Sequence, residues 1–559
     1  MKKVIPVLLA LFVALSALAG CGSGGAQTTT AAATTAQAAT TAAAATTEAA
    51  AATTAAATTA GGAAAEATTT AAAAAEDQPV AAELAPLSLV YYIAATEQTD
   101  SATVQAAMDA YLTEKLNCTL TIVPIQSSEW NTKMPLIYSA GEQVDLAFDQ
   151  ANRGYYTNAA NGVYHPLNDL FAQYGQGAAE QMEINTPGLI DAPKIGGVLY
   201  GVPCEKQTAQ CEAWYFRKDI ADEIGLDVET LVTLQDLEPY LLKIKETHPE
   251  MTPYYVSTGS GIHTEWATDA IKDNLTKYEE LNGAVNLLLV DLEQDKVLNH
   301  YETEWDLDRY QTLKRWQDTG LINPDAATTT TGGGDIFRAG KTWLIGGGGA
   351  PTTLSSYQSG YGTDFYRWRA TGPIMNTYQN TTALTCIPRT ALDPARSMML
   401  INLFHTDKEY VDMFNSGIEG KHHVTNADGK FELPPGASSK NDTGYAYGFE
   451  TFFGNMFLNT LWYNEKEDRY TELREYNQAA RKSKILGFYV DMANITTEYA
   501  AVEAVRTQYA PILKAGVSPD VAATLKEMND KMYANGLQKV IDEAQRQYDE
   551  FIATVGKTE

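Results

Sequence analysis

Between residues 87 and 148 the chain alternates an apolar strand, an amphipathic helix, a second strand, a second helix and a third strand, and that order admits few folds. Residues 87–93 are apolar and carry the β-favouring Val90, Tyr91 and Tyr92. After Asp100 or Ser101, the residues Val104, Met108, Tyr111, Leu112 and Leu116 recur at helical spacing, so one face of a helix lies on a sheet. Residues 119–125 form the second strand, and a strand, crossover helix and strand make a parallel pair. A further helix over 128–140 carries Trp130, Met134, Ile137 and Tyr138, with Pro135 expected to kink it, and leads to a third strand over 144–148. The expected class is α/β.

The residues before this unit cannot join its core. Lys2 and Lys3, an apolar run over 4–19 and small residues before a break have the form of a secretory signal, and the run is shorter than the roughly 20 residues of a membrane span. Leu18-Ala19-Gly20-Cys21 resembles the bacterial lipobox, which implies lipidation at Cys21 and a signal peptide over 1–20. Residues 22–78 are almost only Ala, Thr and Gly, with Glu48 and Glu66 among the few charges. No side chain there is large enough to bury, so 21–82 is expected to be a flexible tether spanning about 40 Å.

The body is acidic. With 69 Asp and Glu against 40 Lys and Arg, the net charge of −29 argues against nucleic acid or anionic lipid as a partner. The five cysteines, Cys21, Cys118, Cys204, Cys211 and Cys386, make no disulfide framework and match no zinc spacing. A bridge between Cys204 and Cys211 stays open. His422 and His423 have no third ligand nearby and are expected at the surface.

Residues 195–219 organise the rest of the body. A Gly196-Gly197 turn, a strand over 198–202, a loop with Glu205, Lys206 and Glu212, and an aromatic strand over 213–216 have two readings: a crossing between two lobes, or a hairpin with a charged loop. Rings beside carboxylates and a lysine suit a polar ligand with apolar faces. Trp305 and Trp316 are expected in the core, while His263 and Trp266, after Ser257-Thr258-Gly259-Ser260-Gly261, are candidates for a cleft rim. The run GGGDIFRAGKTWLIGGGG fails as a phosphate loop: five residues separate Gly334 from Gly340 where the motif needs four, and a strand follows Lys341-Thr342 where it needs a helix. Neither a G-x-S-x-G elbow nor an H-E-x-x-H pair is present.

The stretch SAGEQVDLAFDQANRGYYTNAANGVYHPLNDL, over 139–170, resembles the N-terminal lobe of the family 1 extracellular solute-binding proteins, the sugar receptors of ABC importers. Tyr200-Gly201-Val202-Pro203 followed by Trp214-Tyr215-Phe216-Arg217-Lys218-Asp219 is similar to the family's crossing, and Ile224-Gly225-Leu226 with a helix over 234–245 to its continuation, although Leu234 or a neighbour stands where the family has Trp. Asn415-Ser416-Gly417-Ile418-Glu419-Gly420-Lys421-His422 and the region from Gly487 to Arg546 are similar to a subgroup of large lipoproteins whose C-terminal region has no assigned function. The closing stretch puts Leu537, Val540, Ile541, Ala544, Tyr548, Phe551 and Ile552 on one packing face.

The resemblance implies a two-lobed, type II periplasmic-binding-protein-like α/β fold, with lobe 1 over 83–204 and 379–445 and lobe 2 over 205–378 and 446–559. It implies a monomeric receptor, lipid-anchored on the extracellular face of the bacterial cytoplasmic membrane, that hands a mono- or oligosaccharide to an ABC permease and needs no cofactor. The candidate ligand-binding residues are Asp149, Asn152, Arg153, Glu205, Lys206, Glu212, Trp214, Trp266, Trp343, Trp368 and Trp462, with Tyr155 and the backbone of Gly346 to Gly349 nearby. The alternatives are a surface-anchored glycosidase, with Glu205 and Glu212 as its carboxylate pair, and an adhesin or structural lipoprotein.

Overall fold

The structure, a computed structural model, describes residues 84–258, 277–281, 287–370 and 372–558. Cys21, Trp266 and His263 lie outside the described residues. The expected opening unit is present as strand Leu87–Ala94, helix Ser101–Leu116, strand Cys118–Ile125, helix Trp130–Ala140 and strand Leu146–Asp149. Val104, Met108, Leu112 and Leu116 are the buried face of the first helix, and Pro135 sits inside the second.

These three strands are parallel, and two more complete a sheet in the order Cys118–Ile125, Leu87–Ala94, Leu146–Asp149, Leu384–Cys386, Gly201–Pro203. Leu384–Cys386 runs antiparallel to both neighbours, with Leu384 opposite Asp149 and Pro203 alike. The ends of two strands and the start of a third therefore share one edge, where Gly201–Pro203 leaves for the second lobe and Leu384–Cys386 returns from it. Gly201 is required at this seam, because a Cβ would stand 2.8 Å from Cys386 Sγ. Leu89, Tyr91, Leu112, Leu146, Met398 and Phe404 make the core on this sheet.

The second lobe is built on an antiparallel sheet in the order Phe365–Arg369, Glu212–Arg217, Leu344–Gly348. Gly201–Pro203 and Glu212–Arg217 thus belong to different sheets, which selects the crossing over the hairpin. Trp214, Phe216, Trp316, Trp343 and Trp368 share one core with helix Glu304–Asp318 and the C-terminal helices Thr496–Lys514, Val521–Ala534 and Leu537–Thr554. The molecule is a two-lobed α/β protein of the type II arrangement.

Several local expectations are corrected. The stretch after Leu234 is a 3-10 turn, Leu234–Leu237, followed by helix Glu238–Thr247, whose first turn holds Pro239. Phe453 lies in the first lobe's core with Phe449 and Phe452 against it, so that lobe continues past residue 445. His422 and His423 are buried, because both rings find partners: His422 Nδ1 accepts from Ile418 N at 2.9 Å and its Nε2 lies 3.3 Å from Asp100 Oδ2, while His423 Nδ1 lies 3.0 Å from Ser416 O and its Nε2 3.2 Å from Glu419 Oε2. Cys204 and Cys211 are free thiols, and Cys211 Sγ lies 3.1 Å from the Tyr476 hydroxyl instead.

Candidate functional site

The shared edge of the first sheet carries a hydrogen-bonded row of polar side chains. Strand Leu146–Asp149 ends in a 3-10 turn, Ala151–Arg153, which turns Arg153 back along the edge. Its Nε donates to Gln150 Oε1 at 2.6 Å and its Nη2 to Ser127 Oγ at 3.1 Å. Gln150 Nε2 donates to Thr382 O at 2.5 Å, and Lys206 Nζ donates to Thr382 Oγ1 at 2.8 Å. Ser127, Arg153, Gln150, Thr382 and Lys206 therefore link separate chain segments, with Asn152 exposed beside them.

Arg153 and Lys206 are half-buried, and among the described residues neither has a carboxylate within ion-pair distance. Burial holds both below their usual ranges, with the nearby Asp149 partly offsetting it for Arg153. A cation drawn partly out of water with no carboxylate bonded to it leaves donors to spare, and ligand oxygens can take them.

Asp149 is the foundation of the row. It is 1% exposed and accepts from Gln150 N at 2.7 Å, Asn158 Nδ2 at 3.0 Å and the Tyr164 hydroxyl. Burial pushes its carboxyl up to about 6, and the hydrogen bonds from Tyr164 and Asn158 oppose that rise. Tyr155 is also enclosed, its hydroxyl donating to Pro193 O at 2.5 Å.

Glu205 and Lys206 are neighbours with opposite surroundings, as successive side chains of an extended segment are. Lys206 joins the row. Glu205 is fully buried, 2.8 Å from His405 Nδ1, and accepts from Asn185 Nδ2 at 2.6 Å; Arg474 Nε in turn donates to Asn185 Oδ1 at 2.8 Å. Its carboxylate holds helices to the crossing and has no face left for a ligand.

The second lobe keeps its candidates inside. Trp214 is 1% exposed and sits opposite Trp368, with ring centroids 5.4 Å apart. Trp343 Nε1 donates to Pro253 O at 2.9 Å and Trp368 Nε1 to Leu231 O at 3.1 Å, so these two indoles are satisfied within the core, while Trp214 Nε1 is buried without a hydrogen-bond partner among the described residues. These three rings are core, all in the cluster that the second-lobe helices complete. Glu212 lies on the same face as Trp214: its side chain is half-buried, its Oε2 is buried without a partner, and burial pushes its carboxyl up to about 8 against the pull of Arg309. Trp462 packs edge-on to Phe431 and has Lys440 Nζ 3.8 Å from its ring centre. The glycine backbone is also occupied, Gly348 O by the Tyr215 hydroxyl at 2.6 Å and Gly346 O by the Tyr357 hydroxyl at 3.1 Å.

Sequence reasoning missed Asn477. Its Oδ1 accepts from Thr208 N at 3.0 Å and Ala209 N at 3.3 Å, while its Nδ2 donates to Lys206 O at 2.7 Å and Thr186 Oγ1 at 2.9 Å. This one side chain fixes the backbone beside Lys206 from a helix, Arg469–Gln478, far along the chain. Gln150, Ser127 and Thr382 were also missed; Gln150 lies inside the stretch that carries the family resemblance, which is the one signal that reaches it. No cluster of three metal-ligating side chains occurs among the described residues.

Comparison with known proteins places this geometry. Residues 94–351 match the family described as bacterial extracellular solute-binding protein, and residues 484–553 match a domain of unknown function, DUF3502. A carbohydrate ABC transporter substrate-binding protein of Streptococcus pneumoniae is 26% identical over 448 residues, covering 78% of this chain and 86% of that protein. In structure, an N-glycan transport solute binding protein of Streptococcus pneumoniae aligns over 84% of this chain and 99% of its own, at 22% identity and a TM-score of 0.66. An extracellular solute-binding protein from Bifidobacterium longum subsp. infantis aligns over 85% of this chain and all of its own, at 15% identity and a TM-score of 0.58. With its two-lobed fold, the chain is similar over residues 94–351 to the bacterial extracellular solute-binding protein family, and over residues 484–553 to a C-terminal domain of unknown function.

Proposed function

We propose that this protein is an extracellular receptor that binds a carbohydrate between its lobes and delivers it to an ABC permease. The observation that carries the reading is the row Ser127, Arg153, Gln150, Thr382 and Lys206, on the sheet edge where the chain crosses between lobes. In open α/β sheets, ligands bind in the crevice outside the strand ends. Sugar hydroxyls need many oriented donors and acceptors, and a row whose members fix one another loses little freedom on binding. The names of the relatives, carbohydrate and N-glycan transport, support the same ligand class.

Within the candidate set, Asn152, Arg153 and Lys206 contact the ligand, while Asp149 and Glu205 position them. Hinge closure over the carbohydrate produces the state the permease recognises. The receptor acts as a monomer, held at the membrane by a lipid on Cys21 with 21–82 as its tether, and it leaves its ligand chemically intact. Thermal-shift screening against mono- and oligosaccharides tests this, since a ligand at 100 times its Kd adds about 2.7 kcal/mol. Chromatography of the recovered sugar completes the test. A shift with intact sugar supports the receptor, cleaved sugar identifies a glycosidase, and no shift across the library removes the carbohydrate reading.

A further inference from the structure

A strap over residues 481–490, which leads into the domain of unknown function at residue 484, grips both lobes. Arg481–Lys482 pairs with Ile374–Met375, on the stretch that leads back to Leu384–Cys386, Ser483 N donates to Met375 O at 2.9 Å, and Gly487 N donates to Thr377 Oγ1 at 2.8 Å. From there the strap divides its side chains. Ile485, Phe488 and Val490 enter the core of the second lobe, where Phe488 meets Tyr548 and Phe551 at 5.6 and 5.3 Å between centroids. Leu486, Gly487 and Tyr489 face the first lobe.

Leu486 packs with Ala192. Gly487, at φ +92°, approaches so closely that a Cβ would stand 3.2 Å from Asp191 O. Tyr489 lies flat on Tyr156, with ring centroids 3.6 Å apart and planes 4° from parallel. Tyr156 belongs to helix Tyr155–Ala160, the element that follows Arg153. A face-to-face contact this close tolerates little rotation between the bodies that carry its two rings.

We infer that the C-terminal domain of unknown function sets the angle between the lobes, with the Tyr156–Tyr489 stack as its clamp on the first lobe. The helical body of the domain is fixed in the second lobe, so any hinge motion that carries Tyr156 away from the strap must part this stack. The domain is then a control on closure as well as a packing surface. The inference rests on the two-lobed reading and is independent of which ligand binds.

The test is made without ligand, so failure of the carbohydrate reading leaves it untouched. Spin labels at Ala172→Cys and Ser359→Cys, exposed positions on helices of the first and second lobes, report the interlobe distance in the full chain carrying Cys21→Ser. The native and Tyr489→Phe proteins are expected to give the same narrow distance distribution, because Phe keeps the stack. Tyr489→Ala is expected to shift or broaden it, and Tyr156→Ala, which removes the other ring, to give the same altered distribution, with the double variant no further changed. A Tyr489→Ala or Tyr156→Ala distribution superimposable on the native one overturns the clamp, as do two single variants that alter it differently.

Discussion

Along the carboxyl edge of the first sheet, Arg153 and Lys206 stand half-buried in a row of hydrogen bonds, whereas in the sheet of the second lobe Trp214, Trp343 and Trp368 are sealed among helices. By composition the two regions suit a ligand equally, since each mixes rings, charges and glycines. They differ in where the side chains sit on their strands. Arg153 and Lys206 follow strand ends, where the sheet stops and solvent begins; Trp214 and Trp368 sit within strands and Trp343 directly before one, and all three join the core that the helices cover. Binding groups therefore gather where regular structure ends, and aromatic mass gathers where it is covered.

The largest effect that tests this contrast is on stability. Trp343→Ala removes a fully buried ring and its hydrogen bond to Pro253 O, and is expected to cost about 3–5 kcal/mol in denaturant unfolding. Carbohydrate affinity in the remaining folded protein should be unchanged; a small loss of stability with a large loss of affinity would return Trp343 to the cleft. Next is Glu205→Ala, which strands His405 and Asn185 inside the first lobe. Each buried group left unpaired costs roughly 1–3 kcal/mol, so a lowered melting temperature is expected in the absence of ligand. An unaltered melting temperature would mean that Glu205 is not a structural support.

Smaller in energy but sharper in meaning are Arg153→Ala and Lys206→Ala. Each is expected to weaken carbohydrate binding by about tenfold, equivalent to about 1.4 kcal/mol, with melting temperature nearly unchanged in calorimetry. Native affinity in both variants would move the site off this edge.

A pH slope tests the same contrast at Glu212. The Glu212 carboxyl, at about 8 in the folded protein, lies above its unfolded value of about 4.3. The folded state thus binds the proton more tightly, and stability should fall as pH rises between those two values. Glu212→Gln, which keeps the shape of the neutral acid, should flatten that slope. Parallel stability curves for the two proteins would show that Glu212 is solvated after all.

The opening βαβ unit was legible because helix and strand periodicities are local, as Val104, Met108, Leu112 and Leu116 show. The site was legible only in part. Arg153 lies in a stretch that resembles a family, but nothing local separates Lys206 from Glu205, since one residue of register decides which side each faces. The indoles mislead for a related reason: a Trp beside glycines has the same composition in a core as in a cleft. His422 and His423 are buried against expectation because one ring nitrogen of each meets backbone and the other a carboxylate, Asp100 or Glu419, and residue identity does not reveal those pairings. Asn477 was out of reach, being tied to Lys206 across 271 positions of sequence.

Hydrogen–deuterium exchange of the protein with and without the oligosaccharide giving the largest thermal shift tests the central claim most directly. Binding at the edge of the first sheet predicts new protection in peptides covering Ser127, Gln150 to Arg153, Lys206 and Thr382, with the second-lobe strands Glu212–Arg217 and Leu344–Gly348 unchanged. Protection confined to those second-lobe strands, with none along the row, would contradict it.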